Sequence, residues 1–247
     1  MEAARKIRNA VAEVSLLRQA VEANPILETA LVEVKRVQSR RFAGSYANLL
    51  AGGPYQAAAR FFLDELYSDK DYAQRDAQFS RIAGAIEKLF PSQVADTAVA
   101  MAQLHVLTEE LDQAMALAWL GQVDERLTQA QRYIRAWREV GRRADRESQL
   151  AVVLEIGRQM GRLTRMPGLR MMLKMMRGPA AAAGLGSLQR FLESGFDTFA
   201  AMAKSSGGVT DFLNIIHASE SALIQMLFDG ELVACETELA HTLGQAL

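Results

Sequence analysis

Stepping about 100° per residue around each helical segment of this 247-residue chain puts most charges outside, but leaves a few polar residues on apolar faces. Arg75 falls among Phe79, Ile82, Ile86 and Leu89, with Asp76 at the margin of that stripe. A permanently charged guanidinium there needs a carboxylate, for which Asp64, Glu65, Asp71 and Asp112 are the choices, or else an anionic ligand. His105 and Asp112 lie along one edge of a face built from Met101, Leu104, Leu107, Leu111, Met115 and Ala118. Seven residues separate them, about 10 Å along the axis, so they do not touch. Glu109, one turn after His105, can reach it. Glu220 lands among Phe212, Ile216, Leu223 and Leu227, with His217 nearer the edge. A buried carboxylate must be paired, protonated or metal-bound.

Two chemistries follow. If His105, Glu109, Asp112 and Glu220 converge, they begin a carboxylate and imidazole metal or cofactor site inside a bundle. If they do not, Arg75, Asp76, His105, Asp112 and Glu220 are a buried polar network that fixes helix register. Glu238 and His241 have the Glu-x-x-His spacing of di-iron bundles, but Leu232, Leu239 and Leu243 define the buried stripe there and His241 points away from it.

A second feature is compositional. From Ile156 to Leu192 there is no acidic residue, while Arg158, Arg162, Arg165, Arg170, Lys174, Arg177 and Arg190 leave the rest of the chain at −8 against an overall −1. The same segment holds six of the 11 methionines. Methionine adapts to irregular partners, so Arg170, Lys174 and Arg177 beside Met172 and Met176 read as a surface for an acidic protein, an anionic lipid or an apolar ligand. In the competing reading Leu169, Met172, Leu173 and Met176 pack inward and the cations are a solvated face.

A third feature is the dense run Phe61-Phe62-Leu63-Asp64-Glu65-Leu66-Tyr67, followed by Gln74-Arg75-Asp76. With Leu89-Phe90-Pro91 and the segment from Leu104 to Asp112, it resembles an uncharacterised family of bacterial, mostly proteobacterial, helical proteins, a domain of unknown function. The likeness covers roughly residues 40 to 230. It implies a helical fold and a bacterial source, and carries no activity with it.

The elements that must position these residues are helices. The first spans Glu2 to Ala23, and Asn24-Pro25 caps and opens a second running to about Leu50, closed by Ala51-Gly52-Gly53-Pro54. A third carries the aromatic run. A turn at 68–71 supplies an Asp cap for a fourth that ends before Pro91. A fifth runs to about Leu120, a sixth from about Asp124 to Arg143, and a seventh to about Thr164, with Gly141 a weak break between the last two. After Met166-Pro167-Gly168 come a short Met-rich helix to Arg177, a break at Gly178-Pro179, a helix to Lys204, and two more from Val209 and Glu231. The chain therefore reads as all-α, one irregular bundle of about nine to ten helices over residues 1–247, with any internal boundary near 165–185.

Composition narrows the function. Half the residues are apolar, enough for a real core. Near-neutral charge gives no expectation of nucleic-acid binding. One cysteine, Cys235, cannot form an internal disulfide, and no secretory signal or apolar run of membrane-spanning length is seen, so a soluble cytoplasmic protein is expected. Phosphate-cradling loops, nucleophile elbows and zinc-protease spacings are missing, and no cofactor is specified. The expectation is a binding or interaction protein acting through the basic Met-rich segment, with a His and carboxylate cofactor site as the alternative. A homo-oligomer is compatible with either.

Overall fold

The computed structural model describes residues 2–67, 72–124 and 126–246. Their regular structure is helical, with no strand among them. In chain order the helices are α1 (Glu2–Glu22), α2 (Pro25–Ser45), α3 (Ala47–Ala51), α4 (Gln56–Glu65), α5 (Ala73–Leu89), α6 (Ser92–Gly121), α7 (Gln129–Val140), α8 (Arg143–Leu163), α9 (Leu169–Met175), α10 (Arg177–Ala182), α11 (Gly186–Met202), α12 (Gly208–Asp229) and α13 (Leu232–Gly244). The helices outnumber the nine to ten expected because the chain breaks at Tyr46, separating α3 from α2, and because α10 forms across Gly178-Pro179. The turn expected at 68–71 lies outside the described residues.

Local sequence sets several ends. Asn24 Oδ1 accepts from the Leu27 amide and Pro25 occupies the first turn, as its fixed φ and missing N–H favour. Thr128 and Gln131 form a reciprocal capping box, so α7 starts at Gln129 rather than near Asp124. Gly141 at φ 62° and Arg142 at φ 52° then turn the backbone left-handed, a clean break between α7 and α8 where a near-continuous helix was expected.

The chain divides into two compact units. The first comprises Met1–Ser15, Lys70–Val106 and Val152–Leu213; the second Leu16–Asp69, Leu107–Ala151 and Asn214–Leu247. The stretch at 165–185, the expected place of any internal boundary in a single domain, lies inside the first unit.

In the first unit, small residues let helices approach closely: Ala4, Ile7, Ala10, Ala83, Ile86, Ala95, Ala98 and Ala102 form one core cluster. A second cluster joins Leu163, Leu169 and Phe196, with Met160, Met166, Met172 and Leu173 packed against it. Gln78, buried on α5, clamps the small-residue turn before α11: its Nε2 donates to the Gly184 carbonyl, and its Oε1 accepts from the Ser187 hydroxyl and the Leu188 amide.

The second unit has the larger core, where Leu27, Val34 and Val37 of α2 meet Met115, Ala116 and Trp119 of α6, Ile134 and Trp137 of α7, Leu227 of α12, and Leu239 and Leu243 of α13. The dense aromatic run packs here: Phe62 stacks on Phe42 at 6.5 Å and Tyr67 on the same ring at 4.4 Å. At Gly44, α2 runs against the α13 backbone so closely that a Cβ would sit 1.9 Å from the Thr242 carbonyl oxygen.

Candidate functional site

The second unit holds a connected set of buried polar groups. Glu220 of α12, inside an apolar stripe as its spacing requires, receives the Arg41 Nη1 at 2.5 Å and the Tyr46 hydroxyl at 2.8 Å. Burial works against the charge on Arg41, and the Glu220 carboxylate together with the Tyr67, Tyr133 and Tyr46 side chains outweighs it, so its pKa lies above the ordinary guanidinium value. Burial first, then the Glu220 charge, hold the Tyr46 hydroxyl far above the usual phenol range, which keeps it a donor. Tyr67, with Arg41 over its ring at 5.6 Å, is pushed up to about 12 by burial and by Glu220.

Glu109 and Asp112 lie one turn apart on α6, both buried. Glu109 accepts from Arg18 at 3.1 Å and Lys35 at 3.3 Å, while Asp112 accepts from Gln38 Nε2 at 3.0 Å. Arg146 of α8 is also buried, its guanidinium carbon 4.2 Å from the centre of the Trp137 ring. Burial holds its pKa below the ordinary value against the pull of Tyr133 and Asp112.

Burial raises the Asp112 pKa, opposed by Lys35, Gln38 and Arg146. A carboxyl whose folded pKa lies above its unfolded value contributes stability below the unfolded pKa and loses it as pH rises through the folded one. Asp112→Asn keeps an acceptor for Gln38 and removes the titration. Urea melts across pH should show the variant matching wild type in acid and gaining on it as pH rises through the folded pKa of Asp112. A constant gap at every pH would refute the assignment.

Several sequence expectations are redistributed. His105 sits in the first unit and shares a 2.9 Å hydrogen bond with Asp76 Oδ2. Asp76, not Arg75, is the buried member of its pair. The Arg75 guanidinium lies over the rings of Tyr72 and Phe191, at 3.9 and 4.3 Å, which tolerate its charge at half burial. Leu89, placed on the buried stripe, is 64% exposed because α5 ends there. Among the described residues no three His, Cys, Asp or Glu side chains gather to hold a metal ion. His105, Glu109, Asp112 and Glu220 are each engaged by a different protein group instead: Asp76, Arg18 with Lys35, Gln38, and Arg41 with Tyr46. His217 and His241 are exposed.

Arg41 and Arg146 are the residues that sequence reasoning missed. Leu27, Ala30, Val34, Val37, Arg41 and Gly44, all buried, follow the three-four spacing of a helical stripe, and Arg146 continues the stripe of Leu150 and Leu154 by steps of four.

The basic Met-rich segment of the first unit divides. Arg158 and Arg162 pair with Glu155, Arg170 with Asp197, and Arg177 with Glu193, whose carboxyl the Arg177 fork lowers to about 2. Arg165, Lys174 and Arg190 have no ion pair among the described residues. Met172 and Met176 are half-buried, since Leu169, Met172 and Leu173 face the Leu163 and Phe196 cluster. The methionines that stand in solvent are Met171 and Met175, 68% and 72% exposed and one turn apart on α9. Leu89, Phe90, Pro91, Met166, Pro167 and Met172 line an open hollow of about 540 Å³ in the same unit, with Lys88 also lining it.

These features define an all-helical protein with a buried ion-pair network in one unit and an exposed methionine surface in the other. No helix among the described residues is long and apolar enough to cross a membrane. The chain belongs to the family described as Domain of unknown function (DUF8198), whose model matches residues 17–233. No curated protein and no solved structure matches it.

Proposed function

We propose that the protein is a bacterial cytoplasmic interaction module whose α9 surface docks an acidic, amphipathic segment of a partner protein. The observation that carries this reading is the solvent exposure of Met171 and Met175 on α9, the helix whose Leu169 and Met172 line an open hollow. Exposed flexible thioethers with adjacent apolar relief suit a helical segment inserting one or two large side chains, the helix-in-groove mode. Charge selects the occupant's sign: Arg165 and Lys174 are exposed and in no salt bridge among the described residues, and Lys88 borders the hollow. The concave relief favours a peptide over a flat lipid surface. Arg170 and Arg177 serve a different purpose, tying the α9 and α10 region to α11 through Asp197 and Glu193.

The test is a titration of methyl-labelled methionines with a synthetic helical peptide carrying Leu on one face and Glu on the other. The Met171 and Met175 methyl signals should move saturably, and reversing Arg165 and Lys174 to Glu should weaken binding about tenfold with little change in Tm. A peptide with Lys in place of Glu should not bind. Broadening of these signals only by anionic phospholipid vesicles, or by neither probe, would overturn the reading.

A further inference from the structure

The second unit contains a buried cation that its own side chains leave incompletely served. Arg146 is 6% exposed and has no ion pair among the described residues, and its Nη2 is buried without a hydrogen-bond acceptor. The ring beneath it belongs to Trp137, also 6% exposed, whose buried Nε1 likewise lacks an acceptor. Buried donors in folded proteins are almost always satisfied, so two orphans on one stacked pair are a specific deficit of acceptors. The stack continues outward: Trp137 meets Phe228 at 5.7 Å, and Arg143 lies 4.7 Å over Phe228 while pairing with Asp229. Arg143 therefore has a carboxylate and Arg146 does not. Asp112 is the acid of this neighbourhood, and its Oδ1 is taken by Gln38.

We propose that the edge where Arg146 stacks on Trp137 is a binding site for a small carboxylate ligand, its two oxygens accepting from Arg146 Nη2 and Trp137 Nε1. The chemistry selects the class. Two orphan N–H donors match the two oxygens of a planar carboxylate, whereas a phosphate brings a third oxygen and a second charge that this pair does not serve. The aromatic wall of Trp137 and Phe228 favours an apolar body behind the carboxylate. This inference is independent of the docking role assigned to α9.

Benzoate is a suitable probe, titrated into the full-length protein at constant ionic strength while the indole N–H signals of Trp119 and Trp137 are followed by NMR. The Trp137 signal should move saturably and the Trp119 signal, from the same core, should not. Arg146→Lys, which keeps the charge but loses the planar fork, should raise the Kd about tenfold. Trp137→Phe keeps the stack and removes the N–H, so by calorimetry its Kd should rise several-fold, which provides a reading even if the Lys variant folds poorly. Absence of a saturable shift, equal binding by both variants and wild type, or saturation by inorganic phosphate in place of benzoate would each overturn the proposal.

Discussion

Arg41→Met should lower the folding free energy by about 3–5 kcal/mol, the cost of leaving a buried carboxylate without its cation. The loss comes from Glu220, because methionine fills much of the volume of the arginine stem while the charge on α12 keeps only the Tyr46 hydroxyl. Replacing both members, Arg41→Met with Glu220→Leu, should recover most of that loss. It should not recover all of it, since Tyr46 then holds a buried hydroxyl with no acceptor, worth about 1–3 kcal/mol. Adding Tyr46→Phe should close the remaining gap. Urea unfolding of the single, double and triple variants gives the cycle. A double variant as unstable as the single one would mean that Arg41 acts through packing alone. A single variant as stable as wild type would mean that Glu220 is not held by the pair.

Gly44→Ala should cost about 3 kcal/mol or more, although alanine is favoured over glycine in a helix by about 1 kcal/mol. The added carbon would fall 1.9 Å from the Thr242 carbonyl oxygen, a backbone atom that no rotamer change can move aside. Helices α2 and α13 would have to separate, unseating Leu239 and Leu243 from the core of the second unit. The contrast is Gly157, where the nearest atom to an added Cβ is Leu213 Cδ2 at 2.6 Å, the end of a side chain that can turn. Gly157→Ala should therefore come out near zero, its crowding offset by the gain in helix propensity. Thermal melts of the two variants compare them directly. Equal losses at the two sites would show that the α2 and α13 backbones yield readily.

Helical phase was legible in the sequence, and neighbour identity was not. Glu220 was placed in the core correctly because Phe212, Ile216, Leu223 and Leu227 surround it at helical spacing. Its partner Arg41 stands on a stripe equally regular, from Leu27 to Gly44, but adjoins Arg40 in a segment dense in charge, and a rotation of one residue separates the exposed arginine from the buried one. Arg75 and Asp76 show the same limit, the buried residue lying next to the one selected. A helical wheel states which residues face inward, while which facing residues meet depends on chain topology. That is why His105 is found on Asp76, and why the four ligand-type side chains are dispersed among separate partners. The division into units was not visible because it carries no proline or glycine signal: each unit draws on parts of α1, α6, α8 and α12. In the Met-rich stretch composition identified the segment, and the phase of α9 decided that Met171 and Met175, rather than Met172 and Met176, face solvent.

The way each unit is gathered from separated stretches has a consequence for the order of events during synthesis. Chains whose domains follow one another can fold the first while the second is still being made. Here the second unit needs residues 214–247 to complete its core, and the first needs residues up to 213. The amino-terminal helix emerges from the ribosome long before most of its packing partners. Its Ala4, Ile7 and Ala10 must wait for Ala83 and Ala95, and its Val21 for Leu239 and Leu243 near the end of the chain. Apolar helix faces are thus uncovered through much of translation, and chaperone occupancy on nascent chains should persist until α13 has left the exit tunnel.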